Sequence, residues 1–307
     1  MVRERRDPRA DGDHAIVRVS AALLTRGDLP RDRDPALIPG RRFVGIVEHA
    51  PDRALVGARV VGDPDVLDPS SDLARRGLAA LDPGRAVLGI RGVDGCLAER
   101  LAIPGRNLCA VPEGIDDEHA LLAVVLGAAV HIARIEPVEN KTFVSVIGSG
   151  LDALLAAQVM SRANASVRLL TTNAHRLELC TRWGVRHRHL DHAGRRADQD
   201  IVIHTADEPG SLPIAVAMAR PRGCVILHGP RDPEEGLDPA SLAMIREREL
   251  RVLGSCSGSV RDGIGALRAG TLDPTGLVTA RTRLDDLPDA IAQLEDPAQI
   301  ALMVRIA

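Results

Sequence analysis

The chain has no tyrosine, two phenylalanines and one tryptophan among its 307 residues. Chemistry built on a tyrosine acid, alone or beside a lysine, is therefore excluded. Lysine is nearly missing too: Lys141 stands alone, so arginine carries almost all of the positive charge. The five cysteines, Cys96, Cys109, Cys180, Cys224 and Cys256, are scattered. Their spacing offers no CxxC pair and no metal knuckle. Such thiols suit buried, reduced side chains, and the chain is expected to be cytoplasmic.

An excess of charge of one sign is also lacking. The formal net charge is −3, which predicts no nucleic-acid footprint and no basic patch for a membrane. The basic start at residues 3–6 is expected to be a solvated end, and no apolar signal region follows it. The longest apolar run, residues 120–130, is about half of the ~20 residues a membrane span needs. With 45% hydrophobic and 26% charged residues, the composition is that of a globular protein, and the length suits two domains.

Residues 1–115 read as a β domain. Segments 15–19, 43–48, 56–61, 86–88 and 97–103 alternate or run apolar between Gly and Pro punctuation, the pattern of a small barrel. Residues 62–85 are polar and rich in Pro, Asp and Ser, and are expected to form a long loop. The pattern changes near Pro112. Asp116 or Asp117 is placed to cap a helix running through 120–132. Strands at 142–147, 166–170, 200–204, 223–227 and 251–254 then alternate with helices at 151–163, 175–183, 212–219 and 239–248. That alternation predicts an α/β fold with a doubly wound parallel sheet. The tail returns with a helix at 287–294 and a strand at 301–306.

Gly148-Ser149-Gly150-Leu151-Asp152-Ala153 lies between the first of these later strands and its helix. A tight Gly turn there brings bare backbone and a helix N-terminus against a pyrophosphate. Gly148 permits the turn, Gly150 allows close approach, and Ala153 replaces a third glycine. In this context GxGxxA predicts a nicotinamide dinucleotide held by Gly148, Ser149, Gly150 and Leu151. NAD selectivity asks for Asp or Glu about 20 residues further on. The chain has Thr171, Thr172 and Asn173 there, then His175 and Arg176, and no carboxylate. Arg168 or Arg176 suits a 2′-phosphate, so NADP is expected ahead of NAD. Ordinary polar residues at a helix start remain the other reading. Asp152 sets a negative charge close to the phosphate position.

Several segments follow one another in a telling order. They are Ile38-Pro39-Gly40-Arg41-Arg42-Phe43-Val44-Gly45, Val87-Leu88-Gly89-Ile90, and Asp94-Gly95-Cys96-Leu97-Ala98-Glu99. Val111-Pro112, Val144 to Gly150, Pro221-Arg222-Gly223 and Val252-Leu253-Gly254-Ser255 complete the series. In order and spacing they resemble the medium-chain dehydrogenase/reductase superfamily, and within it the zinc-type alcohol dehydrogenases. The resemblance implies a GroES-like β-barrel domain over 1–115, completed by 276–307, and a Rossmann domain over 116–275. It implies an NAD(P)-dependent oxidoreductase, and a homodimer paired through the sheet edge near 252–257. The family's first strand precedes the point where Met1 falls, so an altered edge is expected in the β domain.

The departures bear on chemistry. The positions that match the family's catalytic zinc ligands are Thr25, Arg41 and Val124. Those that match its structural zinc cysteines are Asp68, Ser71, Ala74 and Asp82, although Arg75-Arg76-Gly77-Leu78 still fits. Hydroxyl, guanidinium and isopropyl groups do not suit zinc, so no metal is expected at either place, and the 68–82 segment is expected to be a solvated loop. Hydride chemistry would then need another electrophile. Arg41 or Arg42 would polarise a carbonyl with Thr25 donating a hydrogen bond, or Asp28 would pair with Arg41 and fill the space. The cost of an unpaired buried guanidinium favours pairing. His131 is expected to be a core residue of its helix, and His187, His189, Asp191 and His192 a surface group. Two functions stay open: a metal-free reductase of a small-molecule carbonyl or alkene, and a non-catalytic pseudoenzyme that keeps the dinucleotide fold and the dimer surface.

Overall fold

A computed structural model of the chain describes residues 4–28, 36–76, 78–138, 142–194, 196–205, 208–229, 236–256 and 258–306. Arg3, Gly77, Lys141 and Ser257 lie outside the described residues.

The strands in chain order are β1 (His14–Leu24), β2 (Arg42–His49), β3 (Arg59–Gly62), β4 (Asp65–Val66), β5 (Ala86–Leu88), β6 (Gly92–Val93), β7 (Arg100–Pro104) and β8 (Leu108–Ala110). They continue as β9 (Phe143–Ile147), β10 (Ser166–Thr171), β11 (Arg186–His189), β12 (Gln199–His204), β13 (Ala219–His228), β14 (Arg251–Ser255), β15 (Val278–Arg283) and β16 (Ala301–Arg305). The helices are α1 (Asp72–Arg75), α2 (Asp117–Ala120), α3 (Ala123–Ile135), α4 (Leu151–Arg162), α5 (Leu177–Trp183), α6 (Leu212–Met218), α7 (Pro239–Glu247), α8 (Val260–Arg268) and α9 (Leu287–Gln293). None of the described helices is long and apolar enough to cross a membrane.

The chain divides into two compact units. The first holds the chain up to Val124, with Ser259–Arg268 and the chain from Pro274. Its main sheet runs β15-β16-β1-β2-β3-β8, with β7 also on β1. The 11 residues of β1 make it the hub: its first half pairs with β7, its second half with β16, and β2 follows it on the other side. Gly45 of β2 has a packing reason, because a Cβ there would strike the Arg18 carbonyl of β1. Val17, Val19, Leu24, Phe43, Ile103 and Leu302 fill the core between the strands. The α2–α3 region departs from the single helix expected at 120–132. Asp116 caps α2, its carboxylate accepting from the His119 amide at 2.8 Å, and the chain then turns at 121–122 before α3 begins.

The second unit spans Val125–Gly258 with Ala269–Asp273. Its sheet is wholly parallel, in the order β11-β10-β9-β12-β13-β14. Val144, Val146, Val202, Ile203, Val225 and Ile226 are buried, as strands covered on both faces require. The strand order reverses between β9 and β12. The crevice beyond the carboxyl ends of those strands is where such sheets hold their ligands.

Candidate functional site

In the parallel-sheet unit, β9 ends at Ile147 and the chain turns at Gly148, whose φ of +153° favours glycine. Gly150, extended, stands at the N-cap of α4, and Leu151 opens the helix, buried. Cβ-free backbone therefore leads into a helix of 12 residues whose positive dipole end faces the crevice. Arg176 enters from the next crossover. It is buried, and its Nε donates to the Ser149 carbonyl at 2.8 Å, which brings a guanidinium to the Gly turn.

Asp152 in the first turn of α4 has a partner. Its carboxylate lies 3.4 Å from Nε2 of His228 at the end of β13, and His228 Nδ1 lies 2.9 Å from the Ser255 carbonyl. Burial alone would push His228 down, but the Asp152 hydrogen bond and charge and the Ser255 carbonyl raise it above the ordinary imidazole value. The negative charge expected beside the phosphate position is thus tied to an imidazole.

A carboxylate does stand at the end of β10, although no acidic residue is near it in sequence. Glu208, just past β12, is 4% exposed, and Thr171, the last residue of β10, is 1% exposed. Glu208 Oε1 accepts from the Thr171 hydroxyl and, at 3.0 Å, from the Thr172 amide; Oε2 accepts from the Thr172 hydroxyl at 2.6 Å. Thr171 Oγ1 accepts in turn from the Asn173 amide at 3.0 Å, and the Asn173 side chain accepts from His175 N at 3.0 Å. The pairing Glu208–Thr172 spans 36 residues, so only the adjacency of β10, β9 and β12 makes it. Arg168 sits within β10 opposite Arg186 rather than at its end. Burial and the Arg188 and Arg186 charges lower it from the ordinary guanidinium value.

The other sequence-marked group lies in the β unit. Asp28, wholly buried, receives five donors. Oδ2 accepts from Thr25 N at 2.7 Å, Thr25 Oγ1 at 2.7 Å and Arg42 Nη1 at 2.5 Å. Oδ1 accepts from Arg41 Nε at 2.8 Å and Nη2 at 2.6 Å. Burial by itself would raise the Asp28 carboxyl; the Arg42 and Arg41 charges and the Thr25 hydrogen bond outweigh it and hold the group far below the usual carboxylate range. Arg42, which sequence reading set beside Arg41 as an alternative, is the more deeply buried partner, with a side chain 7% exposed against 26% for Arg41. Cys96 lies against this cluster, its Sγ 3.3 Å from the Arg42 carbonyl. Burial and the Asp28 charge push its thiol up to about 12, so it is a thiol and not a thiolate ligand.

Val124 is half-buried near the start of α3. In the 68–82 loop the polar side chains hold the loop's own turns: Asp68 accepts from the Ser70 amide and hydroxyl, Ser71 caps α1, and Asp82 accepts from Gly84 N. His131 is half-buried on α3. His187 bonds the Val185 carbonyl, and His189 contacts Asp191. Among the described residues no three His, Cys, Asp or Glu side chains are grouped to hold a metal ion.

No family model matches the chain. It is 34% identical over 172 residues to L-threonine 3-dehydrogenase of Ruegeria pomeroyi, a match over 55% of this chain and 49% of that enzyme. The chain thus spans about half the length of that relative. The starvation-sensing protein RspB of Escherichia coli K12 is 25% identical over 293 residues, covering 90% of this chain and 84% of RspB. Among solved structures, an alcohol dehydrogenase (rspB) of E. coli CFT073 complexed with NADH superposes with a TM-score of 0.87 at 23% identity, over 98% of this chain and 94% of that one. A zinc-binding dehydrogenase of Sinorhizobium meliloti bound to NADP gives 0.84 at 24% identity, over 97% and 93%. At these identities the superpositions establish the two-domain dehydrogenase fold.

Proposed function

Because the chain belongs to the medium-chain dehydrogenase/reductase superfamily, we propose that it is a dinucleotide-binding member working without zinc. The observation that carries the proposal is the Arg41–Asp28–Arg42 cluster, with Thr25 as a further donor. At and beside the positions that match the zinc ligands, both guanidinium groups and Thr25 are engaged with the single Asp28 carboxylate. Asp28 has its lone pairs filled, Val124 offers none, and Cys96 keeps its proton. A Zn²⁺ ion would have to displace a buried, charge-assisted network to gain one carboxylate. In the other unit, the Gly148–Gly150 turn, the start of α4 and Arg176 suit a pyrophosphate. Both solved relatives described above carry a nicotinamide dinucleotide.

In this reading the protein does not oxidise simple alcohols, since Thr25, Arg41 and Val124 cannot hold a Lewis acid that would polarise the alcohol oxygen and stabilise an alkoxide. It is a pseudoenzyme with respect to zinc chemistry. A second reading has one observation in its favour: two guanidinium groups face one carboxylate, which leaves a surplus positive charge suited to a carbonyl oxygen. That reading is a metal-free reductase of an activated carbonyl or alkene. Two copies pair through β14, the outer strand of the parallel sheet, where Val252 is 38% exposed.

The test combines elemental analysis, binding and turnover on the purified protein. Zinc well below one per chain, with NADH or NADPH quenching Trp183, is the expected result. Tightly held stoichiometric zinc with alcohol oxidation would overturn the proposal. Consumption of reduced cofactor with a panel of enones and aldehydes would select the reductase over the pseudoenzyme, and light scattering reports the dimer.

A further inference from the structure

The geometry points to Glu208 as the residue that sets cofactor selectivity, making the site a receptor for an unphosphorylated adenosine ribose and turning away a 2′-phosphate. The inference rests on the dinucleotide reading above and refines it.

At the carboxyl end of β10 stand Thr171 and, just beyond it, Thr172. In doubly wound sheets that position meets the adenosine ribose, and an acidic side chain there takes the 2′-hydroxyl. This chain supplies its acid from a different element, beyond β12, and buries it beneath Thr171 and Thr172. Three donors and no acceptor surround the two oxygens of Glu208, the arrangement of an ionised, acceptor-only carboxylate. Thr172 is exposed while Glu208 is buried behind it.

The Thr172 hydroxyl proton is committed to Glu208 Oε2 at 2.6 Å. Its oxygen therefore presents lone pairs outward, backed by a buried negative charge. Such a surface accepts a hydrogen bond from a ribose hydroxyl. A 2′-phosphate has acceptor oxygens and carries about −1.5 to −2 charge, so at Thr172 it meets lone pairs backed by a carboxylate of its own sign. A site arranged to hydrogen-bond one partner discriminates strongly against a group that cannot reciprocate.

The two arginines that would welcome a phosphate are engaged elsewhere. Arg176 is buried with Nε on the Ser149 carbonyl of the Gly turn, nearer the pyrophosphate than the ribose. Arg168 lies three residues back along β10, about 10 Å by the rise of a strand, among Arg186 and Arg188. The preference for NADP drawn from residues 168–176 therefore gives way to NAD once Glu208 is counted.

Titration of Trp183 quenching with NADH and NADPH, and calorimetry with ADP-ribose and 2′-phospho-ADP-ribose, test this directly. The parent protein is expected to bind each unphosphorylated ligand at least about tenfold tighter than its 2′-phosphorylated counterpart. Glu208→Gln, verified as folded by its melting curve, should shrink that ratio to about threefold or less. Thr172→Val, at an exposed position, provides the same reading should Glu208→Gln fail to fold. A parent that binds the phosphorylated ligands as well or better, or folded variants that keep the parent ratio, would overturn the inference while leaving dinucleotide binding intact. No binding of any of the four at millimolar concentration would remove the dinucleotide reading itself, and this inference with it.

Discussion

Asp28 holds two guanidinium groups and a threonine at once, and removing its charge leaves both arginines facing a neutral group. Arg42 is the more vulnerable, since its side chain is 7% exposed and its buried Nε has no hydrogen-bond partner to begin with. Breaking one side of a buried ion pair costs about 3–5 kcal/mol. Asp28→Asn is therefore expected to lose about that much stability in urea unfolding, while a loss near zero would mean that water already screens the cluster. The pH dependence has a definite sign. The ordinary carboxyl value is 3.8 and the folded value lies well below it. The stability from Asp28 is thus complete above pH 3.8 and drains away as the pH falls through the folded value. The Arg41–Asp28 pairing was legible from sequence because the residues are 13 apart and an unpaired arginine there is costly. Glu208 was not, because 36 residues and the crossing from β10 to β12 separate it from Thr172. Nothing local marks a side chain whose role is set by strand order.

Helix α8 shows the same contrast at the scale of an element. The strands of the parallel sheet announce themselves as apolar runs, so their places, and the Gly turn after β9, followed from periodicity. α8 did not, since its nine residues include Gly263 and Gly265, residues that weaken a helix in isolation. Strand β11 escaped for a related reason: Arg186-His187-Arg188-His189 has no apolar alternation and owes its form to pairing with β10. In α8 one glycine has a tertiary cause. A Cβ on Gly263 would run into the Ala123 carbonyl at the start of α3, whereas one on Gly265 would meet nothing within 4 Å. Backbone cannot step aside as a flexible side chain does. Gly263→Ala is expected to cost about 1–3 kcal/mol through overpacking. Gly265→Ala should be neutral or stabilise by up to about 1 kcal/mol. Paired melting curves check both, and equal effects would show that close approach to the Ala123 backbone is not what Gly263 serves.

Taken whole, the molecule has two units, and its single tryptophan allows one of them to be watched alone. Trp183 lies in α5 of the parallel-sheet unit, so its emission follows that unit, while circular dichroism follows both. Two buried histidines of this unit titrate in opposite senses. His204, at the end of β12, is 2% exposed, has Nε2 2.7 Å from Ser211 Oγ, and is pushed down by burial to about 4 from 6.5. Between those values the unfolded chain holds a proton that the folded one refuses, so stability falls as the pH drops from 6.5 toward 4. His228 is raised, and its contribution is complete below 6.5 and lost as the pH rises through the folded value. The two partly offset each other, which hides either one in a simple pH profile. His204→Gln separates them: an amide keeps a polar atom toward Ser211 and cannot titrate. Between pH 7 and pH 5 the variant should lose about 1–2 kcal/mol less stability than the parent when urea unfolding is followed by Trp183 emission. Parallel losses in the two proteins would mean that the His204 side chain takes up its proton in the folded unit as readily as in the unfolded chain. Burial at the crevice end of β12 would then not be what keeps that imidazole neutral.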